Sequence, residues 1–399
     1  GAAPDPAKAY QTKAHTGGAL SDDATCASCH AAGRFADRKD IALAHDFTAR
    51  LAAAVARYEF RILTVTNTAP GQFPVVTFSV VDPTNANAPY DIKTASAFVL
   101  PNPAASLAVK IGWTTAEFGN VGSGQPFGQP VTINALSAAA VAGPAGTYTV
   151  TSPVAVPAGL VGSVRVVLEG HPAGNVTSAT AFADRLPVKT VIKDVDVAGG
   201  AVVARRSIVD IVKCDTCHAR LSLHGGNRND ELGACVVCHN PNATDAARRP
   251  AGVTADGKLE ESIDFKTLIH GIHAGSMRTN ALVVYGFGGS VNDFSGVGFP
   301  GQFADCSTCH VGNSYTLTGV WATPTASGIA GTTVTTGGAA AAASSYLRMS
   351  PTAAVCSSCH DSTLAKLHMA DSRSGGSFSA TAAQLGTTVE VCTSCHGPG

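Results

Sequence analysis

The sequence has few charged residues, few aromatic residues and no long apolar run. Asp, Glu, Lys and Arg make up 14% of the 399 residues, and Phe, Trp and Tyr make up 6%. No apolar stretch approaches the ~20 residues that a transmembrane helix requires, so no membrane span is expected. The formal net charge is −1 and no basic cluster with interleaved aromatic residues occurs. Nucleic acid is therefore not an expected partner.

No cysteine lies outside one short string, C-x-x-C-H. This string is the attachment site of a c-type haem, in which two thiols form thioethers to the macrocycle and the histidine becomes an axial iron ligand. Six copies without a spare cysteine argue against zinc sites and disulfides, so six covalently bound haem c groups are predicted. The copies are Cys26-Cys29-His30, Cys214-Cys217-His218, Cys235-Cys238-His239, Cys306-Cys309-His310, Cys356-Cys359-His360 and Cys392-Cys395-His396.

Seven of the thirteen histidines lie outside the motifs, and only three methionines are present. Six low-spin haems with two axial histidines each would use six of those seven, whereas methionine, the alternative sixth ligand, would raise the potential. His171 follows a predicted strand far from any motif, so we expect it to be the histidine left over. The expected second ligands are His15, His45, His224, His270, His273 and His368.

Two of these histidines lie three residues apart on a predicted helix. Residues 261–275 have apolar side chains at helical spacing, and Ser262 or Asp264 can cap the start. His270 and His273 would then be neighbours on the helix surface. The two axial positions of one iron lie on opposite faces of the macrocycle. These histidines are therefore expected to serve two different haems and to hold them close together.

The uneven distribution of the motifs predicts three domains. One motif lies near the N-terminus, no cysteine occurs between Cys29 and Cys214, and five motifs follow. We predict an N-terminal monohaem arm over residues 1–57, an antiparallel β domain over 58–204 and a pentahaem cytochrome domain over 205–399.

The β domain is predicted from apolar residues that alternate with small or polar ones. Its size suggests an immunoglobulin-like sandwich, with a split barrel as the alternative. The pentahaem domain has few large aliphatic residues, so we expect it to be mostly irregular with short helices, and to bury haem faces instead of a separate core. We expect loops over 286–301 and 322–345. The strands are predicted at or around 60–66, 76–80, 106–113, 131–135, 147–151, 164–168 and 187–193.

Several segments of the second half resemble the OmcA/MtrC family of outer-surface multihaem cytochromes. They include the text around Cys214, Leu221-Ser222-Leu223-His224-Gly225-Gly226, Ile269 to Gly275, and Ser350 to His360. The resemblance covers about half of the chain. It implies a β domain ahead of a pentahaem domain and bis-histidine ligation that includes His224, His270 and His273. It also implies electron transfer from the cell to extracellular acceptors. The chain departs from the family's usual ten haems, since its N-terminal half has one motif.

The expected function is that of an exported electron-transfer protein and not of an enzyme, so no catalytic residue is predicted. Its partners would be other cytochromes, copies of itself, or extracellular acceptors such as metal oxides and soluble shuttles. One alternative is a protomer that polymerises head to tail into a conductive filament. The other is a multihaem reductase in which one haem keeps an open position for a small oxyanion.

The expected location is extracellular or on the outer cell surface, because haem attachment to C-x-x-C-H takes place outside the cytoplasmic membrane. The chain opens with Gly1-Ala2-Ala3-Pro4 and not with a signal peptide, which predicts a mature form whose export signal has been removed.

Overall fold

The fold is that of a computed structural model, which describes residue 19, residues 24–30, residue 34, and residues 47–99, 105–177, 182–251, 254–316 and 329–396. The described α-helices are α1 Cys26–His30, α2 Phe47–Val55, α3 Ile211–His218, α4 Leu232–Cys238, α5 Phe265–Ala274, α6 Pro351–Ser357, α7 Thr363–Ala370 and α8 Ala382–Leu385. The strands are β1 Glu59–Thr66, β2 Val75–Asp82, β3 Ala88–Pro89, β4 Ser106–Trp113, β5 Val131–Asn134, β6 Val141–Ala142, β7 Thr147–Thr151, β8 Ser163–His171, β9 Ala173–Gly174, β10 Asp184–Arg185, β11 Val191–Asp196, β12 Ser222–Leu223, β13 Arg228–Asn229, β14 Val283–Tyr285, β15 Val291–Asp293, β16 Thr332–Thr335 and β17 Leu347–Met349.

Two antiparallel sheets form the β region. The first sheet has the order β1-β2-β7-β6, with β3 paired to β2, and the second has the order β11-β8-β4-β5. At one side the sheets approach each other, where Lys193 Nζ of β11 donates to the carbonyl oxygen of Leu63 in β1 at 2.5 Å. The expected all-β architecture is confirmed, and two separate sheets around one core correspond to the sandwich.

The core of the sandwich comes from the alternation that the sequence predicted. Phe78, Val109, Trp113 and Leu168 are each fully buried between the two sheets. Because successive strand residues point to opposite faces, the intervening residues of β4 and β8 form the outer face of the second sheet. That outer face carries Lys110, whose neighbours along the strand are in the core. Part of it packs against the second half of the chain.

Where the structure describes it, the second half has only short helices and two-stranded sheets, as the composition predicted. The expected loop over 286–301 is mainly loop, although Val291–Asp293 pairs with β14. The expected loop over 322–345 is wrong for Thr332–Thr335, which pairs with β17 and has its first two residues buried. Threonine is β-branched and favours strands, a preference that outweighs the low complexity of this stretch.

Helix α4 joins the two halves of the chain. Its Val236 and Val237 form a small apolar cluster with Phe118 and with Val167 on the outer face of β8. Asn120 Nδ2 donates to the carbonyl oxygen of Val237 at 2.8 Å, so the contact is polar as well as apolar. The α4 segment is therefore held against the sandwich. The domain limits at 57/58 and 204/205 remain sequence predictions.

The sandwich core generates a stability prediction. Phe78→Ala removes a fully buried ring, which typically costs about 3–5 kcal/mol of unfolding free energy, so the denaturant midpoint should fall clearly. Far-UV circular dichroism in a guanidinium titration measures this. The control is Phe73→Ala, at a ring that is 50% exposed, which should shift the midpoint much less. Equal shifts in the two variants would contradict the proposed core.

Candidate haem-binding sites

All six C-x-x-C-H strings lie in the described part of the chain, and each is on a short α-helix or a 3-10 turn. The first forms α1 itself, and those of α3, α4 and α6 stand at the helix C-termini. The other two lie on 3-10 turns at Cys306–Thr308 and Cys392–Ser394. Residues three apart are neighbours on a helical turn, so both thiols of each string face one side. None of the twelve cysteines forms a disulfide, so each is available for a thioether bond.

Four motif histidines each face a second histidine from outside the motifs. The ring centroids are 6.1 Å apart for His218 and His273 and 5.9 Å apart for His239 and His224. The other two pairs are each 6.1 Å apart; they are His310 with His270 and His396 with His368.

This spacing fits a metal ion between the two rings. Two imidazole-to-metal bonds of about 2 Å, plus half a ring at either side, give a centroid separation of about 6 Å. Imidazoles that touched each other directly in a stacked pair would lie closer. The chain thus leaves room for an iron at four places, each lined by one motif histidine and one other.

Hydrogen bonds at Nδ1 orient several of these rings. Nδ1 of His270 lies 2.7 Å from the carbonyl oxygen of Lys266, and Nδ1 of His273 lies 2.9 Å from that of Ile269. Nδ1 of His239 lies 2.9 Å from the carbonyl oxygen of Ile263. A carbonyl only accepts, so each Nδ1 carries the proton and Nε2 is left with its lone pair. Metal-ligating histidines are typically fixed in this way.

Burial favours the neutral form of the imidazoles in two of the four pairs, His224 with His239 and His270 with His310. Burial, with a smaller contribution from Arg228, lowers the pKa of His224 to about 3. Burial is also the main cause of the lowered pKa values of His239, His270 and His310. The neutral form is the one that binds a metal, so these sites need no proton loss at neutral pH.

Helix α5 supplies two of the paired histidines. It begins after Asp264 and ends at Ala274, close to the predicted limits. Asp264 stands at the N-cap, but its side chain makes no capping bond, which differs from the expectation. It accepts instead from Thr332 Oγ1 at 2.6 Å and pairs with Lys266. His270 and His273 face different motif histidines, the arrangement that their spacing predicted.

His224 lies at a tight turn between β12 and β13. Its φ is +54°, and Gly225 and Gly226 follow at +70° and +87°. Three successive residues in the left-handed region make a sharp reversal that only glycine adopts freely, which explains the two glycines after the histidine. The turn directs the His224 ring at His239, which directly follows α4.

The described structure does not pair three of the expected site residues, namely His15, His45 and His360. His15 and His45 lie outside the described residues. Within the described part, no histidine ring faces His360, which is exposed. His171, the histidine expected to be left over, is 3% exposed at the end of β8 and its Nδ1 has no hydrogen-bond partner there. Burial, then Arg185, lowers the pKa of His171 to about 4.

Backbone contacts connect the motifs to one another. Lys213 Nζ donates to the carbonyl oxygen of Ser307 at 2.6 Å, and Val209 forms an isolated bridge with His310. These contacts join the motif of α3 to the one at Cys306–Thr308.

Two further contacts tie down the motif of α6. Arg278, just after α5, donates to the carbonyl oxygen of Ser358 and lies 3.5 Å from the Asp361 carboxylate. Glu390 accepts from the backbone N–H groups of Thr352 at 2.8 Å and Ala353 at 2.9 Å. Because Glu390 lies only two residues before Cys392, the last motif is fixed to the start of α6.

Sequence reasoning missed these connecting residues. Glu390 sits two positions before Cys392, and Asp361 follows His360 directly, so closeness to a motif was the only available signal. The histidine pairs were also not predicted, since residues 224 and 239 or 273 and 218 carry no pattern that joins them.

Parts of the chain are similar to known outer membrane cytochromes. Residues 206–399 match the family model described as outer membrane cytochrome MtrC/MtrF-like, domains II/IV. The structure of MtrC from Shewanella baltica OS185 is similar in fold, with a TM-score of 0.59 and 18% sequence identity. The aligned region covers 96% of this chain and 57% of the MtrC chain. The outer membrane decahaem cytochrome OmcA matches over 64% of this chain and 40% of its own, with 19% identity and a TM-score of 0.42. No curated protein sequence matches.

The motifs and the fold define a multihaem c-type cytochrome with a β sandwich. The match over residues 206–399, just under half of the chain, supports a relationship to the OmcA/MtrC family of outer-surface multihaem cytochromes. The predicted resemblance is confirmed. The chain spans little more than half the length of the MtrC it matches, 57% of that protein. Among the described residues no helix is both long and apolar enough to cross a bilayer.

Glu390 generates a second prediction. Glu390→Ala leaves buried N–H donors at the start of α6 unpaired, which costs about 1–3 kcal/mol. The midpoint of thermal unfolding, followed by circular dichroism, should therefore fall. Glu59→Ala is the control, because its carboxylate is 45% exposed in an ion pair with Arg61 and such pairs contribute about 0–1 kcal/mol. An unchanged midpoint in Glu390→Ala would contradict the fastening role.

Proposed function

We propose that the chain is a hexahaem c-type cytochrome that carries electrons through closely spaced bis-histidine haems to extracellular acceptors or other cytochromes. The observation that carries this proposal is the set of four imidazole pairs, with centroids 5.9 to 6.1 Å apart. Each pair combines a motif histidine with one from outside the motifs. Two axial imidazoles are the ligation of an electron carrier, since they leave no position for a substrate.

When bound, haem supplies one-electron redox chemistry, and the chain's residues supply attachment, ligation and position. The cysteine pairs would hold the macrocycles by thioethers, namely Cys26 with Cys29, Cys214 with Cys217, Cys235 with Cys238, Cys306 with Cys309, Cys356 with Cys359 and Cys392 with Cys395. The histidines would be axial ligands. The carbonyl acceptors at Nδ1 would fix the ring orientation and increase the basicity of the ligands.

The contacts between motifs support a line of four sites. Lys213 and Ser307 join the sites of His218 and His310, which α5 also links through its two histidines. Arg278 connects α5 to the motif of His360, and Glu390 connects that motif to the last one. The site of His239 and His224 lies beside the sandwich and forms a branch. Electrons would pass along adjacent sites of this line.

The remaining ligands are assigned by counting. Residues 205–399 contain nine histidines, and the four pairs use eight of them, which leaves His360. We propose that His15 and His45 supply the second ligands for the irons of His360 and His30. His171 is the residue that would replace one of them.

The family of residues 206–399 supports a location on the outer surface of the cell. The proposed partners are neighbouring cytochromes and extracellular acceptors such as metal oxides or soluble shuttles. The long stretch without a motif between the first motif and the other five motivates the alternative of a head-to-tail polymer. The absence of a histidine facing His360 in the described residues motivates the alternative of a reductase with an open haem. Negative-stain electron microscopy separates the first alternative: uniform fibres would support a polymer, and discrete particles a single carrier.

Removal of an axial histidine tests the ligation directly. His270→Ala should retain all six haems by intact mass, because the cysteines are unchanged. It should convert one low-spin ferric signal to a high-spin one in the electron paramagnetic resonance spectrum. The wild-type protein should be low-spin throughout.

The matched control is His171→Ala, which removes another buried histidine. It should leave every low-spin signal intact. A high-spin signal in this control would instead make His171 a ligand. A sizeable high-spin signal in the wild-type protein would favour the reductase, and fewer than six haems by mass would overturn the hexahaem assignment.

A further inference from the structure

Charged side chains are buried on the outer face of the second sheet, where a sandwich surface meets the rest of the chain. Lys110 on β4 is 9% exposed and Glu169 on β8 is 3% exposed. Lys110 Nζ lies 3.7 Å from Glu169 Oε1 and donates to Thr132 Oγ1 at 3.0 Å. Charged residues are rarely buried this deeply unless they are paired.

Arg228 completes the cluster from the other half of the chain. Its Nη2 and Nε donate to the two oxygens of Glu169 at 2.7 and 3.0 Å, which is a bidentate pair. Arg228 lies in β13, opposite Leu223 of β12, and His224 follows Leu223 directly. The cluster of Lys110, Glu169 and Arg228 therefore joins the sandwich to the hairpin that carries the His224 ring.

The same face of the sheet supports α4, which contains Cys235 and Cys238 and is followed directly by His239. In the register of β4 and β8, Lys110 is opposite Val167, and Val167 packs against Val237 of α4. Gly112, two residues after Lys110, leaves room for Val237, since a Cβ there would lie 2.5 Å from its Cγ1.

We propose that the cluster of Lys110, Glu169 and Arg228 sets the reduction potential of the haem held by Cys235, Cys238, His239 and His224. This inference rests on the proposed function. Reduction of a bis-histidine haem removes one positive charge from the iron. A nearby cation therefore favours the reduced form and raises the potential, whereas a nearby anion lowers it. Buried charges are screened little by solvent, so their effect persists at physiological salt.

Other charged groups near this motif do not change the expected direction of the shift in reduction potential. Glu231 caps α4 by accepting from the N–H of Gly233 at 2.8 Å, and Arg165 is paired with Asp194 at 2.6 Å. Asp264 acts on His239 from the start of α5. All of them are the same in each variant, so a difference between variants reports the substituted charge.

The test is a potentiometric titration of the intact protein followed by visible absorbance. In Lys110→Met, the part of the absorbance change that corresponds to one haem should shift to lower potential. The expected shift is about tenfold in the reduction equilibrium, which is about 59 mV for a one-electron couple. Lys110→Arg should restore the wild-type curve. Glu169→Gln should move the same component to higher potential. Opposite shifts for opposite charges are not expected of residues that only fasten two domains.

Lys193→Met is the matched control. It removes the same charge from the same sheet. Ile192 packs against the apolar cluster of α4 on the outer face, so Lys193, the next residue along the strand, points to the opposite face. Its titration curve should be that of the wild type. To assign the moving component, the series is repeated on His224→Met, because a methionine ligand raises the potential of that site and separates it from the others.

Haem number by mass and the low-spin resonance signals are measured first in every variant. Six low-spin haems with no shift in Lys110→Met, or shifts of the same sign in Lys110→Met and Glu169→Gln, would overturn the inference and leave the proposed function intact. A wild-type protein without haem at Cys235 and Cys238 would instead overturn the proposed function. If Lys110→Met does not fold, Lys110→Gln provides the same charge loss with a side chain that can still bond Thr132.

Discussion

The separation of about 6 Å between paired imidazoles is the constraint on which the second half of the chain depends. The partners lie far apart in sequence, so local structure cannot set their distance; His270 and His310, for example, are joined only through the fold. Three devices hold them: short helices that place the motif histidines, carbonyl acceptors that orient the rings, and side chains such as Glu390 that bond one motif to the next. Each device acts on backbone groups, which are more rigid than side chains.

The sandwich has the large hydrophobic core that the described part of the haem-binding half lacks. Its core contains large side chains such as Trp113 and Phe78 at full burial, whereas the second half has small, separate apolar contacts. Helix α4 joins the two because its Val237 fits against Gly112 and Val167 of the outer sheet face. A haem motif fixed to a packed sheet cannot move relative to it without opening that contact. The site of His239 is therefore held by the sandwich as well as by the second half of the chain.

Local patterns predicted the elements well and their assembly poorly. Alternation in β4 and β8 predicted strands that the structure contains, and the stripe of α5 predicted a helix with nearly the observed limits. The strand at Thr332–Thr335 was missed because low complexity obscured its β-branched residues. The sites themselves were predictable as motifs, but not as pairs. Pairing depends on long-range packing, and no periodicity within a segment records which distant histidine it will face.

The position of the branch site has a consequence for electron flow. The sites of His218, His310, His360 and His396 are linked in order by contacts that involve Lys213, Arg278 and Glu390. The site of His239 is fastened to the sandwich instead, beside the charged side chains of β4 and β8. A charge placed there acts mainly on that site, because Coulomb interactions weaken with distance and with screening. The potential of the branch can thus differ from that of the line without interrupting it.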